Sequence, residues 1–433
     1  MSYYFIGIKG SGMSSLAMLV KDKGYDVRGS DVDEYIFTED ELKKKGIKIL
    51  NFNKDNFNSR DIVIIGHKFI NSDNDEVIKA KKENEWYEYN DFLSKFISEY
   101  YSIAVSGSHG KTTTTSLIMN VLNEIDECGY LIGDGTSHIS ELSNYFVFEA
   151  CEQKEHFLKY SSDIVLINNI DYDHVDYFKT KEDYIKAFYK FSKLAKKKLI
   201  VNGDDYCLNQ FNEAFKFGIG DNNDVIAREI KEDEKGISYD LYYKSKLLKR
   251  IELPFYGHHM IYNSLGAISV GLYLGININT IQKGLQKFKG VKRRFNEVVK
   301  EDCIYIDDYA HHPSEISATI RACKQKYPSK KIIAFFKGDR YSRIYKFASE
   351  IATSLELADM CYVLPFPTCS VIEEGINIDE TYLKLFSSKI NLLDENEYLK
   401  LASVNNCVYL FMSSKNMLDV QNKIMELKKE NCK

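Results

Sequence analysis

Residues 102–113 read Ser102-Ile103-Ala104-Val105-Ser106-Gly107-Ser108-His109-Gly110-Lys111-Thr112-Thr113. The apolar start predicts a β-strand, and the glycine turn after it predicts the opening of an α-helix. Backbone N–H groups and the helix dipole at such a turn attract an anion, while a lysine neutralises phosphate charge and a hydroxyl ligates magnesium. Val105 occupies the position of the first glycine in the common phosphate loop, so the loop here is the shorter Gly-x-x-Gly-Lys-Thr-Thr. We predict that it binds ATP or GTP, and a chance glycine turn is the less favoured interpretation.

A second glycine turn follows the first apolar run of the chain and reads Gly7-Ile8-Lys9-Gly10-Ser11-Gly12-Met13. Its spacing, Gly-x-x-Gly-x-Gly, differs from the dinucleotide fingerprint, so an NAD site is disfavoured. Asp31 comes about 20 residues later, at the end of the second predicted strand, where a carboxylate can hold a ribose or base edge. The turn therefore predicts a second phosphate-bearing nucleotide, with a turn that binds no ligand as the alternative.

Short apolar runs alternate with helical patterns along the chain, which predicts an α/β fold. The alternation is interrupted by a charged, aromatic stretch that ends near residue 100, and a third block begins near residue 293. Between about 222 and 256 the pattern changes to alternating polar and apolar residues, which predicts a small antiparallel sheet. We expect three α/β domains, at 1–100, 101–292 and 293–433, because one hydrophobic core does not grow beyond roughly 250 to 300 residues.

Composition restricts the class of protein. Hydrophobic residues make up 44% of the chain and charged residues 28%, so we expect soluble, folded domains. The 58 basic and 63 acidic residues give a net charge of −5, which disfavours a nucleic-acid partner. Nine scattered cysteines without a Cys-x-x-Cys pair predict reduced thiols, and no apolar run approaches the roughly 18 residues that span a bilayer. We expect a cytoplasmic protein without a membrane partner.

Polar residues follow several predicted strands, where α/β sheets place their ligands. Glu149 and His174 come after two strands of the second block, and beside a phosphate loop they suit magnesium. The third block contains Arg293-Arg294-Phe295 and the cluster Asp307-Asp308-Tyr309-Ala310-His311-His312-Pro313. Arg340 and Arg343 follow a later strand and can bind a carboxylate or phosphate with two donors. Taken alone, His174 and the pair Arg340 and Arg343 would more often be solvated, and a solvated turn is the less favoured alternative for the Asp307–Pro313 cluster.

Five segments, in this order along the chain, resemble the Mur ligases of peptidoglycan synthesis. They are Gly107-Ser108-His109-Gly110-Lys111-Thr112-Thr113, Phe148-Glu149-Ala150-Cys151-Glu152, Asn169-Ile170-Asp171-Tyr172-Asp173-His174, Gly290-Val291-Lys292-Arg293-Arg294-Phe295 and Asp307-Asp308-Tyr309-Ala310-His311-His312-Pro313. The resemblance covers nearly the whole chain and thins after about residue 370. It implies an N-terminal Rossmann-like domain for a UDP-sugar, a central P-loop ATPase domain with the small antiparallel sheet, and a C-terminal Rossmann-like domain for an amino acid.

The implied reaction joins L-alanine to the carboxylate of UDP-N-acetylmuramate through an acyl phosphate. It uses ATP and Mg²⁺, and the implied protein is a monomer or a weak homodimer. An ATP-dependent step is chemically reasonable because a carboxylate is a poor electrophile until it is phosphorylated.

The resemblance also implies roles for individual residues. The nucleotide sugar would be held by Gly10, Ser11, Gly12, Met13, Ser30 and Asp31. ATP would be bound by Gly107, Ser108, His109, Gly110, Lys111, Thr112 and Thr113, and by Asn263, Arg294 and Asp308. The magnesium ligands would be Thr112, Glu149 and His174. The amino acid and the muramyl carboxylate would be oriented by Tyr309, His311, Arg340 and Arg343. The catalytic groups would be Lys111, Glu149, His174 and His311, with His174 or His311 accepting the proton of the amine.

Two places depart from the family pattern. His259 stands where the family has an asparagine, which bears on adenine recognition. Lys337-Gly338-Asp339 stands where the family has Gln-Pro-His, which predicts an altered acceptor pocket. Two alternatives stay open. A recycling ligase that attaches a preformed tripeptide is disfavoured by the short chain, and a catalytically weak regulatory protein is disfavoured because Lys111, Thr112, Glu149 and His174 are all present.

Overall fold

The computed structural model describes residues 2–366, 384–387 and 389–431. The strands are β1 (Ser2–Ile6), β2 (Asp26–Ser30), β3 (Lys48–Leu50), β4 (Ile62–Ile65), β5 (Trp86–Glu88), β6 (Tyr101–Ser106), β7 (Cys128–Leu131), β8 (Ser137–His138), β9 (Tyr145–Glu149), β10 (Ser162–Ile167), β11 (Ala195–Asn202), β12 (Phe215–Gly218), β13 (Val225–Asp233), β14 (Gly236–Tyr243), β15 (Lys246–Leu253), β16 (Asn296–Lys300), β17 (Cys303–Asp308), β18 (Lys331–Phe336), β19 (Met360–Val363), β20 (Asn391–Leu392) and β21 (Cys407–Met412). The α-helices are α1 (Ser11–Asp22), α2 (Glu39–Lys44), α3 (Asp75–Glu83), α4 (Tyr89–Ile97), α5 (Lys111–Leu122), α6 (Lys181–Ser192), α7 (His259–Tyr273), α8 (Ile278–Gln286), α9 (Pro313–Lys326), α10 (Tyr341–Leu355), α11 (Glu395–Ala402) and α12 (Leu418–Asn431). Two 3₁₀ segments span Lys54–Asn56 and Gln153–Lys159.

The chain divides into two compact units. The first comprises Met1–Ile170, Ile185–Asp224 and Ser264–Phe288, and the second comprises Asp171–Tyr184, Val225–Asn263 and Lys289–Lys433. The seven cysteines in the described ranges form no disulfide, as predicted, and Cys369 and Cys432 lie outside those ranges. None of the described helices is long and apolar enough to cross a membrane.

The first unit contains a five-stranded parallel sheet with the order β3-β2-β1-β4-β5. Tyr4, Phe5 and Ile6 of the central strand β1 have no exposed surface, as expected for a parallel strand covered on both faces. The strand order reverses between β1 and β4, and sheets of this kind bind ligands outside the carboxyl ends of the strands at such a reversal. The Rossmann-like prediction for this part of the chain is confirmed.

The first unit also contains strands in the order β12-β11-β10-β6-β9-β7-β8. β6 lies in the middle of this set and pairs in parallel with β10 on one side and β9 on the other. Its residues Ile103, Ala104 and Val105 have no exposed surface. The phosphate loop therefore leaves the carboxyl end of a central, fully covered strand.

Helix α8 packs closely against α5 through Gly284. A Cβ atom at this position would lie 2.5 Å from Cα of Val121 and 2.8 Å from the carbonyl oxygen of Asn120. Ile281 and Leu285 are buried beside this contact. Because the opposing atoms belong to the backbone, they cannot rotate away, and only glycine permits this approach of the two helices.

The second unit contains an antiparallel sheet and a mostly parallel sheet. β14 pairs with β13 and with β15 in antiparallel fashion, which confirms the small sheet predicted near residues 222–256. The other sheet has the order β16-β17-β21-β18-β19-β20, and only β16 is antiparallel to its neighbour. Along β18, Ile332 and Ala334 belong to one buried apolar cluster and Ile333 and Phe335 to another, so both faces of this sheet are covered.

We predict that Gly284→Ala destabilises the protein although alanine favours helix by about 1 kcal/mol over glycine. The new methyl group meets the backbone of α5, and overpacking of this kind costs about 1–3 kcal/mol. The measurement is the urea midpoint of unfolding. Gln286→Ala, at an exposed position of the same helix, is the control and should change stability by less than about 0.5 kcal/mol. Equal midpoints for the two variants would contradict the close helix contact.

Candidate active site

The phosphate loop between β6 and α5 is braced by an asparagine that follows β10. Gly107 and Gly110 have φ angles of 136° and 79°, which side-chain-bearing residues rarely adopt, and Gly110 directly precedes α5. The Ser108 N–H donates to the backbone oxygen of Asn169 at 3.1 Å, and the His109 N–H donates to Oδ1 of the same residue at 2.9 Å. These bonds fix the loop at the start of α5. In turns of this kind, the first N–H groups of the helix bind a phosphate.

Lys111, the first residue of α5, is paired with a carboxylate to which the sequence reasoning assigned no role. Its Nζ lies 2.9 Å and 3.1 Å from the two carboxylate oxygens of Glu152 and donates to the backbone oxygen of Ser108 at 3.1 Å. Burial alone would lower the pKa of Lys111, but the charge of the fully buried Glu152 and its hydrogen bond, together with contributions from Cys151 and Glu149, raise that pKa above its usual range. Lys111 therefore keeps its positive charge although only 15% of its side chain is exposed.

Two of the predicted magnesium ligands lie in the first unit. Thr112 is the second residue of α5, and Glu149 ends β9 opposite Val105 of β6. The Glu149 carboxylate accepts a hydrogen bond from the Gly133 N–H at 2.6 Å. A hydroxyl and a carboxylate beside a phosphate loop are oxygen donors of the kind that Mg²⁺ prefers, so these residues fit the metal. The third predicted ligand, His174, belongs to the second unit and has a positive φ angle of 52°.

The N-terminal glycine turn is fastened to the end of β2. Asp31 accepts a hydrogen bond from the Lys9 N–H at 2.7 Å, and the Ser30 hydroxyl donates to the buried Glu76 carboxylate. Lys9 is itself buried, and its ammonium group lies 2.7 Å from Glu39, an ion pair that the sequence reasoning missed. Asp31 and Ser30 thus support the turn, and their contacts with a nucleotide sugar stay predictions. The predicted phosphate-binding residues stand at the start of α1: Gly10, Ser11, Gly12 and Met13.

Tyr89 packs against this turn and was also missed. A Cβ atom on Gly12 would lie 2.7 Å from both Cζ and Oη of Tyr89, so the ring directly contacts the start of α1. Burial, followed by the charges of Cys151 and Glu149, raises the pKa of Tyr89, and its hydroxyl stays protonated. Among the residues that the structure describes, none forms a hydrogen bond with this hydroxyl. The sequence showed only an aromatic residue in a charged stretch.

Arg343 and two carboxylates form a buried ion network in the second unit. Nε and Nη2 of Arg343 donate to the two oxygens of Asp173 at 3.0 Å and 3.2 Å, and Nη1 donates to Asp339 at 2.8 Å. Burial alone would raise the pKa of Asp339, but the charge of Arg343, with further contributions from His311, the Ser414 hydrogen bond and Arg340, lowers it to about 2. Asp339 is one of the residues that depart from the family pattern, and here it neutralises Arg343. All three guanidinium nitrogens of Arg343 are therefore bonded to carboxylates within the protein.

Tyr309 and His311 form a second cluster in the same unit. Nδ1 of His311 lies 2.8 Å from the backbone oxygen of Tyr309, so Nδ1 carries the hydrogen and Nε2 is the proton acceptor. Burial and the Arg343 charge lower the pKa of His311, which keeps it neutral near pH 7. The Arg294 guanidinium lies 4.8 Å from the centre of the Tyr309 ring. Buried Asp308 accepts a hydrogen bond from the Phe295 N–H at 2.7 Å, and burial raises its pKa to about 6 against the opposing charge of Arg294.

Two further predicted residues of the second unit have partners within it. Arg340 donates to Asp176 at 2.8 Å, and both side chains are partly exposed. Asn263 is 5% exposed, and its side-chain nitrogen lies 3.6 Å from the sulfur of Met260. The predicted adenine and ribose contacts of Asn263, Arg294 and Asp308 stay predictions.

Three family models match most of the chain. They are the Mur ligase family, catalytic domain at residues 2–101, the Mur ligase middle domain at 105–271, and the Mur ligase, glutamate ligase domain at 293–395.

Solved structures share the fold over nearly the full length. The UDP-N-acetylmuramate-alanine ligase MurC of Thermotoga maritima is similar with a TM-score of 0.80 and 24% identity, and the match covers 100% of both chains. A murein peptide ligase of Psychrobacter arcticus has a TM-score of 0.70 and 20% identity over 99% of this chain and 98% of that chain. The MurF ligase of Thermotoga maritima, solved in complex with ADP, has a TM-score of 0.65 and 18% identity over 93% of this chain and 95% of that chain.

We predict that Lys111→Ala abolishes ATP binding and also destabilises the protein. The substitution removes the cation of the phosphate loop and leaves the Glu152 carboxylate buried without its partner, which costs about 3–5 kcal/mol. The measurements are calorimetric titration with ATP and urea unfolding. The double variant Lys111→Ala/Glu152→Ala should recover most of the stability but none of the ATP binding. A single variant as stable as the wild type would show that the pair is not a buried ion pair.

We predict that Arg343→Ala and Arg340→Ala differ strongly in their effect on unfolding. Loss of Arg343 leaves two buried carboxylates unpaired and should cost about 3–5 kcal/mol. Arg340 forms a partly exposed pair, and its loss should cost about 1 kcal/mol or less. Thermal unfolding of both variants at neutral pH measures the difference, and equal losses would argue against the buried network.

Proposed function

Because this chain belongs to the Mur ligase family, the ATP-dependent ligases of peptidoglycan synthesis, we propose that it joins L-alanine to the carboxylate of UDP-N-acetylmuramate. The observation that carries the proposal is the buried, charged Lys111 at the start of α5, with the oxygen donors Thr112 and Glu149 nearby. Such a site favours a nucleotide triphosphate with its metal. The choice of L-alanine is supported by the fold likeness to an alanine ligase over 100% of both chains.

The first proposed step transfers the γ-phosphoryl group of ATP to the sugar carboxylate. A carboxylate oxygen attacks the γ-phosphorus, the bond to the β-phosphate oxygen breaks, and ADP leaves an acyl phosphate behind. Lys111 and the N–H groups at the start of α5 hold the phosphate oxygens on which charge develops. Thr112, Glu149 and His174 are the proposed magnesium ligands, and the metal, when bound, neutralises phosphate charge.

The second proposed step forms the amide. The amine of L-alanine attacks the acyl carbon, the tetrahedral intermediate expels inorganic phosphate, and one proton must leave the nitrogen. We assign this proton to Nε2 of His311, because its ring is neutral and Nδ1 is already bonded to the Tyr309 carbonyl. Tyr309 and Arg340 are the proposed contacts of the amino acid. Arg343 is proposed to act indirectly, since Asp173 and Asp339 engage its guanidinium.

The remaining assignments complete the proposal. The proposed contacts of the nucleotide sugar are Gly10, Ser11, Gly12, Met13, Ser30 and Asp31. The proposed contacts of adenine and ribose are Asn263, Arg294 and Asp308. The proposed partners are small molecules only, and the proposed state is a cytoplasmic monomer or weak homodimer.

A second candidate function is favoured by one observation. The fold likeness to a murein peptide ligase also spans 99% of this chain. That candidate would attach a peptide rather than a single amino acid to the same nucleotide sugar. It requires the same ATP chemistry, so only the acceptor distinguishes the two.

We predict that phosphate release from ATP requires UDP-N-acetylmuramate and is fastest with L-alanine among L-alanine, glycine, L-serine and the stem tripeptide. The measurement is a phosphate-release assay with each acceptor, and mass spectrometry identifies the amide product. Lys111→Ala is the inactive control. Turnover with the tripeptide but not with L-alanine would replace the first proposal by the second, and no turnover with any acceptor would refute both.

A further inference from the structure

Three basic side chains meet in the first unit outside the residues assigned above. His67 follows β4, and Lys154 and His156 belong to the 3₁₀ segment Gln153–Lys159. The ring centres of His67 and His156 are 4.8 Å apart, and Nζ of Lys154 lies 3.5 Å from Nε2 of His67. We call these residues the basic trio.

The buried nitrogen of the basic trio has no partner among the described residues. Nε2 of His156 is buried and accepts or donates no hydrogen bond there. Within the described ranges, no carboxylate lies at ion-pair distance from His67, Lys154 or His156, and the side chains of His67 and Lys154 are exposed. Buried polar atoms are rarely left unpaired. An anion beside the Lys154 ammonium group would accept a hydrogen bond from Nε2 of His156.

The backbone at the basic trio is strained. Lys154 and Glu155 both adopt left-handed φ angles, 52° and 57°, although neither is a glycine. Two consecutive residues in this conformation cost energy, and such strain is concentrated at functional sites. In this conformation the side chain of Lys154 reaches His67, a residue 87 positions earlier in the chain. The trio therefore brings together two segments that are distant in the sequence.

The basic trio borders the crevice at the reversal of the parallel sheet. The Gly66 N–H donates to the backbone oxygen of Ile6 at 2.9 Å, and a Cβ atom on Gly7 would lie 2.6 Å from the ring of Phe69. The residues on either side of His67 thus contact the N-terminal glycine turn. On the other side, Lys154 comes two residues after Glu152, the partner of Lys111.

We propose that the basic trio is a subsite for the diphosphate of the nucleotide sugar. The inference rests on the proposed function for the identity of that sugar. Lys154 would neutralise charge on the diphosphate, and His67 and Nε2 of His156 would donate hydrogen bonds to phosphate oxygens. Burial and the charges of His67, Lys154 and Lys159 lower the pKa of His156 to about 4 in the free protein, so its ring is neutral and donates as an N–H group.

The test measures the affinities of the full chain for UDP, UDP-N-acetylmuramate and ATP by calorimetric titration. Lys154→Gln removes one charge from the trio, and His156→Phe keeps a ring against His67 but removes both nitrogens. Lys197→Gln is the matched control, because it removes the same charge from an exposed lysine of the same unit that pairs with Asp163 and does not act on His156. We expect UDP and UDP-N-acetylmuramate to bind about tenfold more weakly to the two trio variants, since a hydrogen bond to a charged group is lost. ATP binding and the control should be unchanged.

Three outcomes would overturn the inference. Unchanged affinity for UDP in both trio variants would show that the trio does not bind the diphosphate. Weaker binding of UDP-N-acetylmuramate alone would assign the trio to the sugar or its carboxylate. An equal loss of ATP affinity would indicate a general effect of charge. Thermal unfolding checks that both variants are folded. If the wild type binds UDP-N-acetylmuramate but does not ligate L-alanine, the proposed function fails and the diphosphate subsite stands.

Discussion

A charge that is removed from water needs an opposite charge beside it, and both units of this chain satisfy that requirement at their candidate sites. In the first unit, Lys111 enters a buried helix start because Glu152 accompanies it. In the second unit, Arg343 is buried between Asp173 and Asp339. The glycine turns and parallel strands bring the backbone to these places. In the first unit the pair keeps a cation at the proposed phosphate site, and in the second unit the two carboxylates engage the arginine within the protein.

The fold class could be predicted because it depends on local periodicity. Buried runs such as Tyr3–Ile6 of β1 and Ile103–Val105 of β6 are continuously apolar, and polar–apolar alternation indicated the antiparallel strands β13 to β15. The phosphate loop could also be predicted, because its glycines, lysine and threonines stand in a fixed order. Glu152, Lys9 and Tyr89 could not be predicted in the same way. Their roles come from partners that lie far away along the chain or on the next element, and no spacing rule connects them.

Arg343 shows how a residue type can be identified while its immediate partner is not. The sequence indicated an arginine after a strand, which suits a carboxylate, and the structure supplies two carboxylates from the protein itself. Asp339, which departs from the family pattern, is one of them. The altered segment thus adds a negative charge next to an arginine and leaves the network with one more carboxylate than guanidinium groups.

The sequence separation of Asp173 and Arg343 also limits when this ion pair can form during synthesis. The two residues are 170 positions apart, so at about 5–20 residues per second Asp173 leaves the ribosome roughly 10 to 30 seconds before its partner. During that interval residues 181–184 can already form the first turn of α6, which continues into the first unit, but the Asp173 carboxylate has no arginine to pair with. Burial of Asp173 therefore has to follow synthesis of α10, because a buried carboxylate without its cation is costly.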